Sequence, residues 1–208
     1  MRIITISGID GSGKSTQTRI LEEALMKEGR KVIRFHATEF SLLNRIARKI
    51  RGDRSFEAGR EPAVTKASLF SVLLREKFLL IDILRFHFFR RTLERKGYDY
   101  LLSDRFFFDS LINILYLSDN PITQIGKLVI ERFLPKPDIA FYLDIDPATA
   151  LERDRFIEQG ASYLDAKSAL FQKMAASWNM IVLDAKKPQE AIAQKIQDEI
   201  RELHSEDN

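Results

Sequence analysis

Gly8-Ile9-Asp10-Gly11-Ser12-Gly13-Lys14-Ser15-Thr16 follows directly on the apolar run Ile3-Ile4-Thr5-Ile6 and matches the pattern G-x-x-x-x-G-K-[ST] in the strand-to-helix setting that this pattern requires. Glycines let the backbone curl with its N–H groups turned inward, and a helix starting at Ser15 adds its positive N-terminal end. The loop therefore becomes a nest for a polyphosphate. Gly8, Asp10, Gly11, Ser12, Gly13, Lys14, Ser15 and Thr16 are the expected contacts of a nucleoside triphosphate, with Lys14 reaching its β- and γ-phosphates and the Ser15 hydroxyl binding Mg²⁺.

Helical periodicity from Ser15 (Ile20, Leu21, Ala24, Leu25) ends at Gly29, a suitable residue just beyond a helix, and Lys31 to Phe35 reads as a second strand. Tyr100 to Ser103, Ile139 to Leu143 and Met180 to Leu183 are further short apolar strands, closed at or beside Asp104, Asp144 and Asp184. Helical segments separate them. The expected fold is α/β, a P-loop NTPase three-layer sandwich whose five-stranded parallel sheet is covered by helices on both faces, with ligands beyond the carboxyl ends of the strands.

With 208 residues, 45% of them hydrophobic, and no Ser/Gly/Pro-rich tract, the chain reads as one domain, residues 1–208. A net charge of only +3 supplies no bulk cationic field for nucleic acid. The absence of cysteine excludes disulfides, thiolate metal sites and a Cys nucleophile. No signal-peptide pattern opens the chain and no apolar run is long enough to span a bilayer, so a cytoplasmic protein without membrane partners is expected. A long helical stretch, about 40–97 with breaks near Gly52 to Glu61, lies between the second and third strands. It is too long for a simple crossover and is read as the region that builds an acceptor pocket, with helix packing or a dimer face as the alternative reading.

Two further groups carry chemistry. Asp104-Arg105 closes the third strand, where the acid can join a Mg²⁺ shell and the arginine can take a phosphate bidentately. Arg153 and Arg155 lie on a short candidate lid, about 151–162, and can bring positive charge to a transition state on closure. The histidines show no metal-ligand spacing, and His36 reads as a hydrogen-bonded neighbour. Phe86, Phe88, Phe89 and Phe106 to Phe108 read as core, and Arg90, Arg91, Arg95 and Lys96 as a solvated helix end.

The phosphate loop, Ser103-Asp104-Arg105-Phe106, Leu134-Pro135-Lys136-Pro137-Asp138 leading into Phe141-Tyr142-Leu143-Asp144, and Leu183-Asp184-Ala185 together resemble the thymidylate kinases, in the same order and over nearly the whole chain. The resemblance implies Mg²⁺-dependent transfer of the ATP γ-phosphoryl group to a nucleoside monophosphate, dTMP favoured, by a homodimer. It further implies that Asp10 faces the acceptor's sugar and phosphate, that Arg105 holds the acceptor phosphate, that Asp104 acts through Mg²⁺ or its waters, and that adenine lies near Ala185 and Lys186. Lys14, Asp104, Arg105, Arg153 and Arg155 would carry catalysis, Ser15 and Asp104 the metal. Gly11 and Ser12 stand where one branch of the family places an arginine, so this chain resembles the branch whose positive charge comes from the lid.

Thr38-Glu39-Phe40-Ser41 stands where the family reads Arg-Glu-Pro-Gly-Gly; only Glu39 matches, and Arg45 is a candidate substitute, as is Arg48. The Phe/Arg base clamp is split, since Phe70 is followed at five residues by Arg75 and Arg85 is preceded at four by Ile81. Glu39, Arg45, Phe70, Arg75, Arg85 and Asn113 complete the expected acceptor contacts. A deoxynucleoside kinase with Glu39 as its base, or a nucleotide-binding scaffold without turnover, are the alternative readings; Arg105 weighs against a neutral nucleoside acceptor.

Overall fold

The computed structural model describes residues 1–51, 67–118, 121–153 and 160–205. Five strands, β1 (Arg2–Ser7), β2 (Val32–His36), β3 (Tyr100–Arg105), β4 (Ile139–Asp144) and β5 (Ile181–Asp184), form one parallel sheet in the order β2-β3-β1-β4-β5. Each lies within a residue or two of its sequence-predicted span. β1, β3 and β4 are almost wholly buried, as continuous apolar runs in a sheet covered on both faces must be.

The helices among the described residues are α1 (Lys14–Lys27), α2 (Ala37–Phe40), α3 (Leu42–Arg51), α4 (Leu69–Arg95), α5 (Phe107–Tyr116), α6 (Pro121–Phe133), α7 (Pro147–Arg153), α8 (Gly160–Ala175) and α9 (Gln189–Ser205). None is long and apolar enough to cross a membrane. The breaks expected near 52–61 lie outside the described residues.

A core of interlocked rings locks α4 and α5 onto the β2–β3 edge. Phe35, Phe86 and Phe107 meet pairwise with centroids 4.9, 5.7 and 5.2 Å apart, within the range of favourable aromatic pairs. Phe88 does not join them: it is 68% exposed. Two residues along a helix turn a side chain by about 200°, so a Phe86 that faces the core forces Phe88 to face away.

Strand order positions the chemistry. β1 is paired on both sides, with Thr5 opposite Ser103 and Ser7 opposite Tyr142, so the loop after β1 emerges between the ends of β3 and β4. A register shift between Phe35 and His36 sets His36 opposite Arg105. Residues nearly a hundred positions apart thereby share one end of the sheet.

Candidate active site

The loop after β1 is built for an anion. Gly13 is the N-cap of α1 in the left-handed region (φ 94°), where a side chain would be strained, and no side chain caps the helix. The first-turn N–H groups of α1 therefore remain for a ligand. Gly11 (φ 82°) is closed to any side chain by a neighbour as well as by its backbone: a Cβ there would lie 2.6 Å from the Ala150 carbonyl oxygen of α7. No arginine fits at that position without displacing α7.

Lys14 folds back across the loop. It is buried, and its Nζ donates to the Ile9 carbonyl at 2.8 Å and lies 3.7 Å from Asp10 Oδ1. Arg105, at the end of β3, donates from Nη2 to the same Asp10 oxygen at 2.7 Å. Asp10 thus joins the loop lysine to the arginine of the neighbouring strand. Burial by itself would raise the Asp10 carboxyl, but Lys14, Arg105 and Lys167 override it and hold the group at about 2. Burial pushes Lys14 down against the pull of Asp10, whereas the acids Asp10, Asp109 and Asp104 outweigh burial at Arg105 and keep that guanidinium firmly charged.

Asp104 lies 3.7 Å from His36 Nε2, and His36 Nδ1 shares a 2.7 Å hydrogen bond with the Thr38 hydroxyl. Burial lowers the His36 pKa despite the attraction of Asp104. The ring is therefore held mainly in its neutral form at pH 7. Ser15 is exposed on the first turn of α1, so a hydroxyl and a carboxylate, both hard oxygen donors, flank the loop. That set suits a Mg²⁺ ion that arrives on a nucleotide and retains phosphate and water ligands. A three-residue cluster for holding metal by protein alone is absent among the described residues.

At the far edge of the sheet, Arg153 Nη1 donates to the Ala185 carbonyl at 2.9 Å, tying the end of α7 to the loop after β5. Lys186 pairs with Asp146 at 2.8 Å. A cleft of about 550 Å³ opens there between Asp144, Asp146, Ser168, Gln172, Asp184 and Lys186. Its three carboxylates repel polyphosphate, which leaves the loop side for the triphosphate. Arg155 lies outside the described residues.

On the acceptor side the sequence-predicted residues are spread over α2, α3, α4 and α5. Glu39 and Arg45 are exposed on α2 and α3, and Phe70 is 74% exposed near the start of α4. Arg75 and Asn113 are half-buried on α4 and α5. Arg85 is engaged in structure: it pairs with buried Asp82, donates to the Phe40 carbonyl at 3.1 Å and lies 4.4 Å over the Phe40 ring. Asp82 in turn accepts from the Leu42 N–H at 3.1 Å, capping α3.

Three residues of the centre were given no site role by the sequence reading. Asp109, one turn into α5, accepts from the Ser7 hydroxyl at 2.8 Å and the Phe106 N–H at 3.1 Å, and burial raises its pKa. Tyr163 and Lys167 lie one turn apart on α8, where Lys167 is buried beside Leu164, Phe171 and Met174. A lysine in an apolar helical stripe is the signal in the sequence that could have found it.

A family model described as thymidylate kinase matches residues 6–196. The chain belongs to the thymidylate kinase family. A probable thymidylate kinase of Sulfurisphaera tokodaii is 30% identical over 201 residues, covering 93% of each chain. Thymidylate kinases of Thermosipho melanesiensis and Thermosipho africanus are 29% and 25% identical, covering 88% of this chain and 89% and 90% of theirs. Membership of this family makes the protein a nucleoside monophosphate kinase, and the parallel sheet with its phosphate loop is the fold that such a kinase requires.

Proposed function

We propose that the protein transfers the γ-phosphoryl group of ATP to dTMP, giving ADP and dTDP. The observation that carries this reading is Asp10, shared by Lys14 of the triphosphate loop and Arg105 of the adjacent strand, because it brings a donor cation and an acceptor cation to one carboxylate. In this reading the loop N–H groups and Lys14 hold the β- and γ-phosphates, Arg105 holds the acceptor phosphate, and an oxygen of that phosphate attacks the γ-phosphorus as ADP departs. A phosphate nucleophile is already ionised, so no histidine base is required. Ser15 and Asp104 would hold Mg²⁺, which when bound neutralises charge on the β- and γ-oxygens. Arg153 and Arg155 would close over the triphosphate, Ala185 and Lys186 would border adenine, and Glu39, Arg45, Phe70, Arg75, Arg85 and Asn113 would face the acceptor.

Assay of dTMP, dUMP, dCMP, dGMP, dAMP and thymidine with ATP and Mg²⁺ tests the substrate. The expected result is the highest kcat/KM for dTMP with dUMP within about two decades, since a single methyl group in a pocket discriminates by roughly 10- to 200-fold. A purine monophosphate or thymidine as best acceptor overturns the assignment, as does no turnover at all.

A homodimer in the cytoplasm belongs to the same proposal. Ile81, Leu84 and Phe88 of α4 and Ile125, Leu128, Val129 and Phe133 of α6 are all exposed at helical spacing, on two helices that pack together. Apolar stripes of this extent on adjoining helices fit a self-complementary interface. Sedimentation equilibrium should give twice the 24.1 kDa chain mass at micromolar concentration; a Leu128→Asp variant should sediment as the monomer, and a wild-type monomer would remove the dimer from the proposal.

A further inference from the structure

Lys167 is buried, and among the described residues no carboxylate forms an ion pair with it. Its Nζ, 3.1 Å from the Tyr163 hydroxyl and 5.0 Å from the centre of that ring, meets a neutral group. The ring is fixed edge-on against Tyr116 of α5, with centroids 5.1 Å apart. Beyond Tyr163 the charged groups that act on Lys167 are Asp10 of the phosphate loop, Asp109 of α5 and Arg105 of β3. Both acids are already engaged, Asp10 by Arg105 and Lys14, and Asp109 by Ser7 and the Phe106 N–H. Lys14, Arg105 and Lys167 therefore all feel the same two carboxylates, Asp10 and Asp109.

Burying an ammonium is costly unless an anion meets it, and an apolar residue would complete the stripe of Leu164, Phe171 and Met174 at no such cost. The arrangement is therefore suited to an anion that comes and goes. Of the other basic residues read as acceptor ligands, Arg45 is exposed and Arg85 is held by Asp82 and Phe40.

We propose that Lys167 is a phosphate ligand of the acceptor nucleotide, contacting an oxygen of its monophosphate beside Arg105 and adding positive charge to the transfer centre. This rests on the reading of the acceptor as a nucleoside monophosphate. The ammonium is compact and supplies several donors, so it can follow an oxygen whose charge changes during transfer, while the Tyr163 hydroxyl steadies it in the free enzyme.

Calorimetric titration of the full chain with dTMP and with thymidine, which lacks the phosphate, isolates this contact. In Lys167→Met, dTMP affinity should fall at least about tenfold, which is 1.4 kcal/mol, and thymidine affinity by less than about threefold. Lys167→Arg should recover part of the loss. In turnover assays the acceptor KM should rise by the same factor while the ATP KM stays within about twofold. The unliganded Met variant should melt no lower than wild type, because it loses a buried charge and keeps the volume.

Unchanged dTMP affinity, or equal losses for dTMP and thymidine, overturns the role of Lys167 and leaves the kinase assignment standing. A wild-type protein that binds no monophosphate overturns the acceptor reading and Lys167 with it. Should the Met variant not fold, the same pair of titrations on Lys167→Gln answers the question: a loss for dTMP but not for thymidine is the expected result, and equal losses overturn it.

Discussion

Lys14→Met is expected to lower kcat by on the order of 10³-fold or more while leaving a folded protein, since removing one preorganised charge-stabilising donor from a desolvated centre costs about that much. Lys14 is buried in the phosphate loop, where it bonds to the Ile9 carbonyl and lies against the flank of Asp10. Methionine keeps the length and apolar stem but offers nothing to the developing charge on a β–γ bridging oxygen. Because the lysine's charge is itself disfavoured by burial, its loss should cost little stability. Single-turnover assay with circular dichroism checks both halves of the expectation; near wild-type kcat would remove Lys14 from the chemistry.

Arg105→Ala is expected to raise the acceptor KM and lower kcat together, with a combined loss in kcat/KM of about two decades, because a charge-assisted bidentate contact of about 1.5–3 kcal/mol is made in both ground and transition states. The ATP KM should move far less. The same substitution has a signature in acid. Asp10 titrates at about 2 in the folded protein against a reference of 3.8, so its ionised form stabilises the fold above about 3.8 and that contribution disappears as pH falls toward 2. Without Arg105 the carboxyl moves up toward its reference value and the window narrows. The acid unfolding midpoint of Arg105→Ala should therefore lie at higher pH than wild type, and an unchanged midpoint together with equal effects on both substrates would refute the bridging role of Asp10.

Much of the donor side was legible in the chain because its signals are local. Gly8 to Thr16 needs particular residue types at adjacent positions to make a loop whose N–H groups converge, and the buried strands announce themselves as short apolar runs closed by acids. The acceptor side was less legible. Phe70 and Arg85 belong to a pattern of helical spacing, and spacing along one helix does not reveal that Asp82 and Phe40 have taken the guanidinium. Phe88 erred for a simpler reason, since a cluster of aromatics in sequence is not a cluster on one helical face.

Residue identity and near-neighbour spacing determined the phosphate loop, the five strands and the acids and Arg105 that end them, because these depend on backbone freedom and side-chain period over a few residues. Tertiary structure alone decided which of those ends meet. Placing β1 between β3 and β4 sets Asp10 against Arg105 across 95 positions of chain, closes Gly11 against Ala150, and lays α8 so that Lys167 faces the same acids. Such convergence is fixed by strand register and helix packing over distances at which local periodicity carries no information.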